Sequence, residues 1–274
     1  MSKANNAQPG TAVITGASTG IGAIYAERLA RRGYDLVLVA RNAERLQELA
    51  GRLEATHGRT VRTVAADLTR DADLARVEEL LRSDDSITML VNNAGVGGTG
   101  PLLQSDIAKM QDMIALNVTA LTRLSYAAAP GFVARGKGAF INIASIVAIA
   151  PEVLNGVYGG SKAFVLAFSQ SLRHELGDKG VRVQVVMPGA TATDFWQIAG
   201  TPVEYLPKEM VMRADDMVDA ALAGLDQGEF ATIPALEDGA KWDAYEAARR
   251  AMHAELSKTA PASRYGIAAA AEAA

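Results

Sequence analysis

Short runs of β-branched and other apolar residues recur along this 274-residue chain, each followed by a longer stretch with helical spacing. The runs are Thr11–Thr15, Asp35–Ala40, Val61–Ala65, 87–91, 139–144, 181–187 and 230–233. They are nearly continuous apolar segments with little polar/apolar alternation, the pattern of parallel strands covered on both faces. Between them, 20–32 (Ile21, Ile24, Tyr25, Leu29) and 43–56 (Leu46, Leu49, Leu53) read as amphipathic helices, and 105–134 and 156–177 as longer ones. Repeated β-α order predicts an α/β fold: a doubly wound parallel sheet of about seven strands, right-handed crossovers, helices on both faces. No proline- or serine-rich linker and no internal repeat interrupts the order, so one domain over 9–256 is expected, with flexible tails at 1–8 and 257–274. Two places break the pattern. The Pro130-Gly131 pair is expected to kink or end the 105–134 helix. Residues 191–212 form a long irregular stretch, and loops of that length are usually functional.

Composition removes several chemistries. The chain has no cysteine, which excludes disulfide scaffolds, Cys-ligated metal and thiol nucleophiles, and only His57, His174 and His253 offer imidazoles. No metal site is expected. A formal net charge of -4, without a basic cluster, argues against nucleic acid as a partner. The segment 1–10 is polar with one lysine, unlike a signal peptide. The longest apolar stretch, 139–151, is broken by Asn142 and Ser145 and falls short of the roughly 20 residues a spanning helix needs. The expected setting is the cytoplasm, with no membrane partner.

The first strand runs into Thr15-Gly16-Ala17-Ser18-Thr19-Gly20-Ile21-Gly22 and then directly into a helix. Glycines at such a turn let the backbone approach a pyrophosphate, and the helix N-terminus offers free N–H groups and partial positive charge. The spacing is G-x-x-x-G-x-G, not the G-x-G-x-x-G fingerprint, so a purely structural turn is the alternative. The second strand ends Ala40-Arg41, with an arginine and no carboxylate to hold a ribose 2′-hydroxyl. An arginine there accommodates a 2′-phosphate, and Ser18 could add a hydroxyl, so NADP(H) is favoured over NAD(H). The alternative is a solvated arginine at a strand end.

Tyr158 and Lys162 stand four residues apart, which on a helix is one face, one turn apart. An ammonium beside a phenol favours phenolate and is expected to lower the tyrosine pKa. Ser145, at the end of the fifth strand, could hydrogen-bond the same substrate oxygen. The pair alone would usually be a surface contact. Its coincidence with a glycine loop and a serine at the carboxyl edge of a sheet marks a ligand crevice.

Together these residues resemble the short-chain dehydrogenases/reductases, NADP-preferring and single-domain, from Thr11 to about Ile233. The likeness rests on the Thr15-to-Gly22 loop, Asp67, Asn92-Asn93-Ala94-Gly95, Asn117, Ser145, Tyr158, Lys162 and Pro188-Gly189 with Thr193, in that order. It implies a Rossmann-type sheet and a hydride transfer between NADP(H) and a carbonyl/alcohol pair. Tyr158 would be the general acid or base, Ser145 would orient the carbonyl, and Lys162 would hold the nicotinamide ribose and lower the Tyr158 pKa. Asn117 would organise a water relay to Lys162. The cofactor would meet Gly16, Ser18, Thr19, Gly20, Ile21, Gly22 and Arg41, then Asp67 with Leu68 at the adenine. Asn93, Ala94 and Gly95 would line its cleft, and Pro188, Gly189, Thr191 and Thr193 would reach the carboxamide end. Asn92 and Asn117 have an equally good reading as groups that satisfy backbone. Thr19 departs from the basic residue often found there in NADP enzymes. The resemblance implies a homodimer or homotetramer; a helical extension over 238–256 in place of the usual glycine-rich end puts the tetramer in doubt and leaves a dimer through the two long helices.

Aromatic and aliphatic residues of the 191–212 loop, Phe195 and Trp196 first, suggest an apolar lid facing Val96, Val147 and Asn155. With no arginine cluster to grip an anion, a moderately lipophilic ketone or aldehyde is the expected substrate. Two alternatives stand beside this reading: a dinucleotide-binding regulator without turnover, and an NAD-dependent alcohol dehydrogenase of the same family. A serine hydrolase is excluded, since no G-x-S-x-G elbow occurs.

Overall fold

The computed structural model describes residues 9–267. In chain order it runs through β1 (Thr11–Thr15), α1 (Gly20–Arg31), β2 (Asp35–Ala40), α2 (Ala43–His57), β3 (Val61–Ala65), α3 (Asp71–Ser83) and β4 (Ile87–Asn92). There follow α4 (Ile107–Ile114), α5 (Leu121–Ala134), β5 (Gly138–Ile143), α6 (Gly156–Leu176) and β6 (Val181–Val186). The last part holds β7 (Thr191–Ala192), α7 (Phe195–Ala199), β8 (Met212–Arg213), α8 (Ala214–Gln227), β9 (Ala231–Thr232) and α9 (Ala240–Ala251). The main sheet is parallel, in the order β3-β2-β1-β4-β5-β6-β9. Strand order reverses between β1 and β4, where successive connections leave on opposite faces and open a crevice at the carboxyl edge.

Alternation of side chains splits the core into two layers. Ala12, Ile14, Leu36, Leu38, Met89, Val91 and Ile141 face α1, α2 and α8. Val13, Leu90 and Phe140, equally buried, point to the other face, on which α5 packs against β4 and β5 and α3 packs against α5. β3 departs from the expected double cover: only Val61 is buried, because α2 is the helix that packs closely on this edge strand. Bidentate pairs of Arg28 with Asp219 and Arg32 with Asp226 tie α1 to α8 at the surface.

A buried polar ladder crosses the centre of the sheet. Asn92 on β4 sits in register with Asn142 on β5. Asn92 Nδ2 donates to Asn142 Oδ1 at 2.9 Å and to Ser125 Oγ of α5 at 3.1 Å, and Asn142 Nδ2 donates to Ser169 Oγ of α6 at 2.9 Å. The ladder fixes both long helices on the strands that end beneath the crevice, and it gives Asn92 a side-chain role in place of the backbone one.

Two sequence expectations change. The helix does not end at Pro130: α5 continues to Ala134. Proline there removes one N–H partner from the Tyr126 carbonyl, and Tyr126 is exposed, so water can replace it. The irregularity lies upstream instead, where 115–120 widens into a π-helical turn around Asn117. The 191–212 stretch is also more ordered than expected. It contains α7 and closes on itself through the parallel pair Thr191↔Met212 and Ala192↔Arg213.

The chain divides into two compact units after Ala235, inside the expected 9–256 domain. The second unit consists of α9, with Trp242 and Tyr245 ring to ring at 5.4 Å, followed by 3₁₀ turns at His253–Glu255 and Ser263–Tyr265. Of the tails expected at 1–8 and 257–274, residues 1–8 and 268–274 lie outside the described residues, and 257–267 are exposed and hold the Ser263–Tyr265 turn. Among the described residues no helix is long and apolar enough to cross a membrane.

Asn142→Ala would remove one of the two hydrogen bonds donated by the Asn92 amide and the one that the Ser169 hydroxyl accepts. We expect it to cost about 2–3 kcal/mol and roughly 5–10 °C in Tm, read by thermal unfolding. A loss under 1 °C would mean the ladder carries no stability.

Candidate functional site

The crevice at the β1/β4 switch point encloses about 660 Å³. Thr15, the last residue of β1, ties its two rims. The Thr15 hydroxyl donates to Val91 O at 3.2 Å and accepts from the N–H groups of Asn93 and Ala94, each at 3.0 Å. Asn93 Nδ2 returns to Thr15 O at 2.9 Å and Gly16 O at 3.3 Å. Asn93 thus shapes the glycine loop through its amide. Gly16 has φ +67°, and a Cβ there would stand 2.9 Å from Asn93 Nδ2, so only glycine fits this close approach.

No side chain caps α1 at Thr19, which leaves first-turn N–H groups free beside Thr19, Gly20 and Ile21 on the cleft wall. Gly16, Ser18, Asp67, Leu68, Ala94 and Gly95 continue that wall, and Pro188, Gly189, Thr191 and Thr193 close its far end. Gly22 stands behind the loop, where a Cβ would overlap Gly16 O. The Asp67 carboxylate accepts from the Thr69 N–H and hydroxyl. Glycine cradle, unspent N–H groups and a cleft of this volume suit a dinucleotide.

Arg41 lines the opposite end, joined by Arg45 from the first turn of α2. Asn42 caps that helix by accepting from Arg45 N at 2.9 Å, which fixes where the second arginine emerges. Arg45 escaped the sequence reading. Its four-residue spacing from Arg41 was visible, but the pairing depends on where α2 begins.

At the nicotinamide end of such a cleft stand Ser145, Tyr158 and Lys162, all lining residues. Ser145 follows β5, and its hydroxyl hydrogen-bonds the Tyr158 side chain, with longer contacts of 3.4 Å to Pro188 O and 3.4 Å from Val147 N. Asn155 starts α6 by accepting from Val157 N (2.9 Å) and Tyr158 N (3.4 Å), setting the helix phase that points Tyr158 and Lys162 inward. Its amide also reaches Gly100 O at 2.8 Å and Ser105 Oγ at 3.1 Å. Asn155 therefore braces the site from behind and does not line the cleft as expected, because every polar atom is spent on cap and loop. Val147 also stands behind the wall, packed with Met113 and Tyr158. Asn117 is buried in the π-helical turn, accepting from Val96 N and donating to Val96 O, each at 2.9 Å, and to Ser161 Oγ at 3.0 Å.

The electrostatics reverse one expectation. Lys162 does not lower the Tyr158 pKa here. Burial pushes Tyr158 up to about 12, only partly offset by a hydrogen bond with Ser145. Burial also brings Lys162 down to about 8, and its Nζ donates to Ile143 O at 2.9 Å, 5.9 Å from the Tyr158 ring centre. Desolvation disfavours the charged form of both groups.

On the lid, Phe195, Trp196 and Ile198 line the cleft. Tyr205 and Met210, apolar residues further along the 191–212 stretch expected to form the lid, are exposed to solvent.

The short chain dehydrogenase family model matches residues 10–202. This chain belongs to the short-chain dehydrogenase/reductase family. Among solved structures, this short-chain dehydrogenase is similar to one from Sphingobium yanoikuyae in complex with NADPH. Identity is 50%, covering 93% of this chain and 99% of that one, with a TM-score of 0.91. It is similar too to a bulky-bulky ketone specific alcohol dehydrogenase from Comamonas testosteroni, at 45% identity over 94% of this chain and 99% of that one, TM-score 0.87. Among curated relatives, 17-beta-hydroxysteroid dehydrogenase type 3 of Mus musculus is 36% identical over 213 residues, 77% of this chain. The match spans about two thirds of that relative's own length, 67%.

The buried lysine makes stability of this dehydrogenase pH-dependent. The unfolded chain holds the Lys162 proton up to its ordinary pKa of 10.5 and the folded chain only to about 8, so stability rises with pH across that window. The gain is on the order of 3 kcal/mol. Lys162→Met should therefore exceed wild type in urea midpoint at pH 7.5, by a margin that shrinks towards pH 9.5. A pH-independent margin would mean that Lys162 titrates normally when folded.

Proposed function

We propose that this oxidoreductase transfers a hydride between NADP(H) and a bulky, apolar ketone/alcohol pair, with Tyr158, Ser145 and Lys162 at the reacting carbonyl. The observation that carries the reading is the convergence of these three side chains on one cleft whose other end presents Arg41 and Arg45. Bound there, the dinucleotide supplies the hydride in reduction and accepts it in oxidation.

The chain's own groups divide the remaining work. Ser145 Oγ, held by two 3.4 Å backbone contacts and hydrogen-bonded to the Tyr158 side chain, is positioned to donate to a substrate carbonyl oxygen and orient it. Tyr158 Oη delivers the proton that this oxygen needs as the alcohol forms, and takes it back in oxidation. With its pKa pushed up to about 12, the phenol carries its proton throughout the neutral range, the state that reduction requires. Lys162 Nζ is the polar group placed to hold the nicotinamide ribose. Glycine cradle and α1 N-terminus hold the pyrophosphate.

Two features support the cofactor and substrate assignments. β2 ends in Ala40, without a carboxylate that would repel a 2′-phosphate, and two arginines line that end of the cleft. Around Tyr158, Met113 and Val147 are buried, with Val96, Leu154 and Phe195 packed on them. This apolar surround suits a substrate that gives up water on binding. The NADPH complex of the Sphingobium relative and the bulky-ketone specificity of the Comamonas one point the same way.

Tyr158→Phe should cut kcat/KM for ketone reduction by roughly 10²- to 10⁴-fold while NADPH binds as before in titration calorimetry. Retained turnover would remove Tyr158 from proton transfer. Arg41→Ala and Arg45→Ala should each weaken NADPH by roughly 10- to 100-fold, the worth of a charge-assisted hydrogen bond, and leave NADH within about twofold. Equal losses for both coenzymes would sink the 2′-phosphate assignment.

A further inference from the structure

Phe195 occupies the space directly over the reacting tyrosine. Its ring centre lies 5.7 Å from that of Tyr158, tilted by 47°. It joins the apolar cluster around Met113 and Val147, and beneath it Tyr158 is only 5% exposed. A substrate carbonyl must reach Tyr158 Oη past this ring.

The ring has a built seat. At Gly97 a Cβ would overlap Phe195 Cζ and stand 2.8 Å from Cε2, so the missing side chain is the space the ring fills. Gly97 is held there, because Asn117 grips both the N–H and the carbonyl of Val96. On its other flank Phe195 meets the edge of Trp196 at 5.7 Å and 86°, and Trp196 is pinned through Nε1 to Thr191 O at 3.0 Å.

A latch completes the arrangement. Helix α7 has five residues, too few to persist alone. Its last carbonyl, Ala199 O, accepts from Thr99 Oγ1 at 2.9 Å and Thr99 N at 3.3 Å, and Thr201 Oγ1 donates to Thr99 Oγ1 at 2.9 Å. Thr99 therefore ties the short helix to the same loop that seats Phe195. With Trp196 bonded to Thr191 O at the start of α7 and Ile198 exposed, Thr99 is the tie at its C-terminal end.

We propose that Phe195, seated on Gly97 and latched through Thr99, is a gate over Tyr158 that sets the size of carbonyl substrate admitted. This rests on the carbonyl-reducing reading of the site. A small ketone passes with the ring seated. A bulky apolar group takes the ring's place against Met113 and Val147, so its binding includes the cost of unseating Phe195 and releasing Thr99. Thr99 and Gly97 are positioning residues that act through Phe195.

The test uses a Trp242→Phe background, in which Trp196 is the sole tryptophan. Acrylamide quenching of the ligand-free protein then reports the state of α7 without reference to turnover. Gly97→Ala and Thr99→Val should each raise the quenching constant about twofold. Both should raise the ratio of kcat/KM for 1-phenylhexan-1-one over 2-butanone by roughly three- to tenfold, the worth of about one hydrogen bond, with NADPH affinity unchanged. Thr99→Ser, which keeps the hydroxyl, should behave as wild type. An unchanged ratio in both variants overturns the gate, whether or not quenching rises. A wild type inert towards both ketones would overturn the carbonyl reading instead. Raised quenching in the two variants would then still support a seated, latched Phe195, and unchanged quenching would overturn it.

Discussion

The hydroxyl of Thr15 joins the two strands between which the sheet changes direction. With helices leaving β1 and β4 on opposite faces, nothing in the parallel ladder itself closes the gap at their carboxyl ends. One hydroxyl donates to Val91 O and accepts two N–H groups from Asn93 and Ala94, while Asn93 returns two hydrogen bonds to the glycine loop. That junction sets the width of the cleft, aims the first turn of α1 and starts the 93–99 segment on its path past Tyr158. The Asn92–Asn142 ladder directly below keeps β4 and β5 in register, so Ser145 emerges level with the same opening.

Balance between burial and charge decides the electrostatics of the reacting pair. Opposite full charges about 4 Å apart attract by roughly 4 kcal/mol at an effective dielectric near 20. Removing each from water costs several kcal/mol. Both Tyr158 and Lys162 are buried, and Lys162 is turned to Ile143 O, so both groups move towards their neutral forms. Spacing in the sequence announces that two side chains share a helix face. It does not announce how dry that face is, and dryness sets the sign of the tyrosine shift.

The same distinction separates what could be read from residues alone. Strands such as Thr11–Thr15 and Asp35–Ala40 were legible because a doubly covered strand must be apolar at nearly every position. Tyr158, Ser145 and the glycine loop were legible because each sits at a junction between elements whose order was plain. Pro130 misled because its effect depends on whether the carbonyl it orphans can reach water, which is a matter of exposure. Two-residue strands such as β7 and β8 carry no period at all, so the pairing inside 191–212 could not be read. Arg45 and Asn155 needed helix starts located to the residue, which caps decide and hydrophobic spacing does not.

Pairing of Thr191 with Met212 encircles the lid at its base. Whatever chain lies between these residues is a closed insertion, separate from the main sheet and from the Pro188-Gly189 turn that follows β6. Lengthening such a ring costs only about 0.6 kcal/mol for each doubling of its length. The part of the ring beyond Ile198, which does not line the dinucleotide cleft, can therefore be exchanged or extended as a cassette. A scaffold so divided can change its repertoire of carbonyl partners by loop grafting without refolding its core.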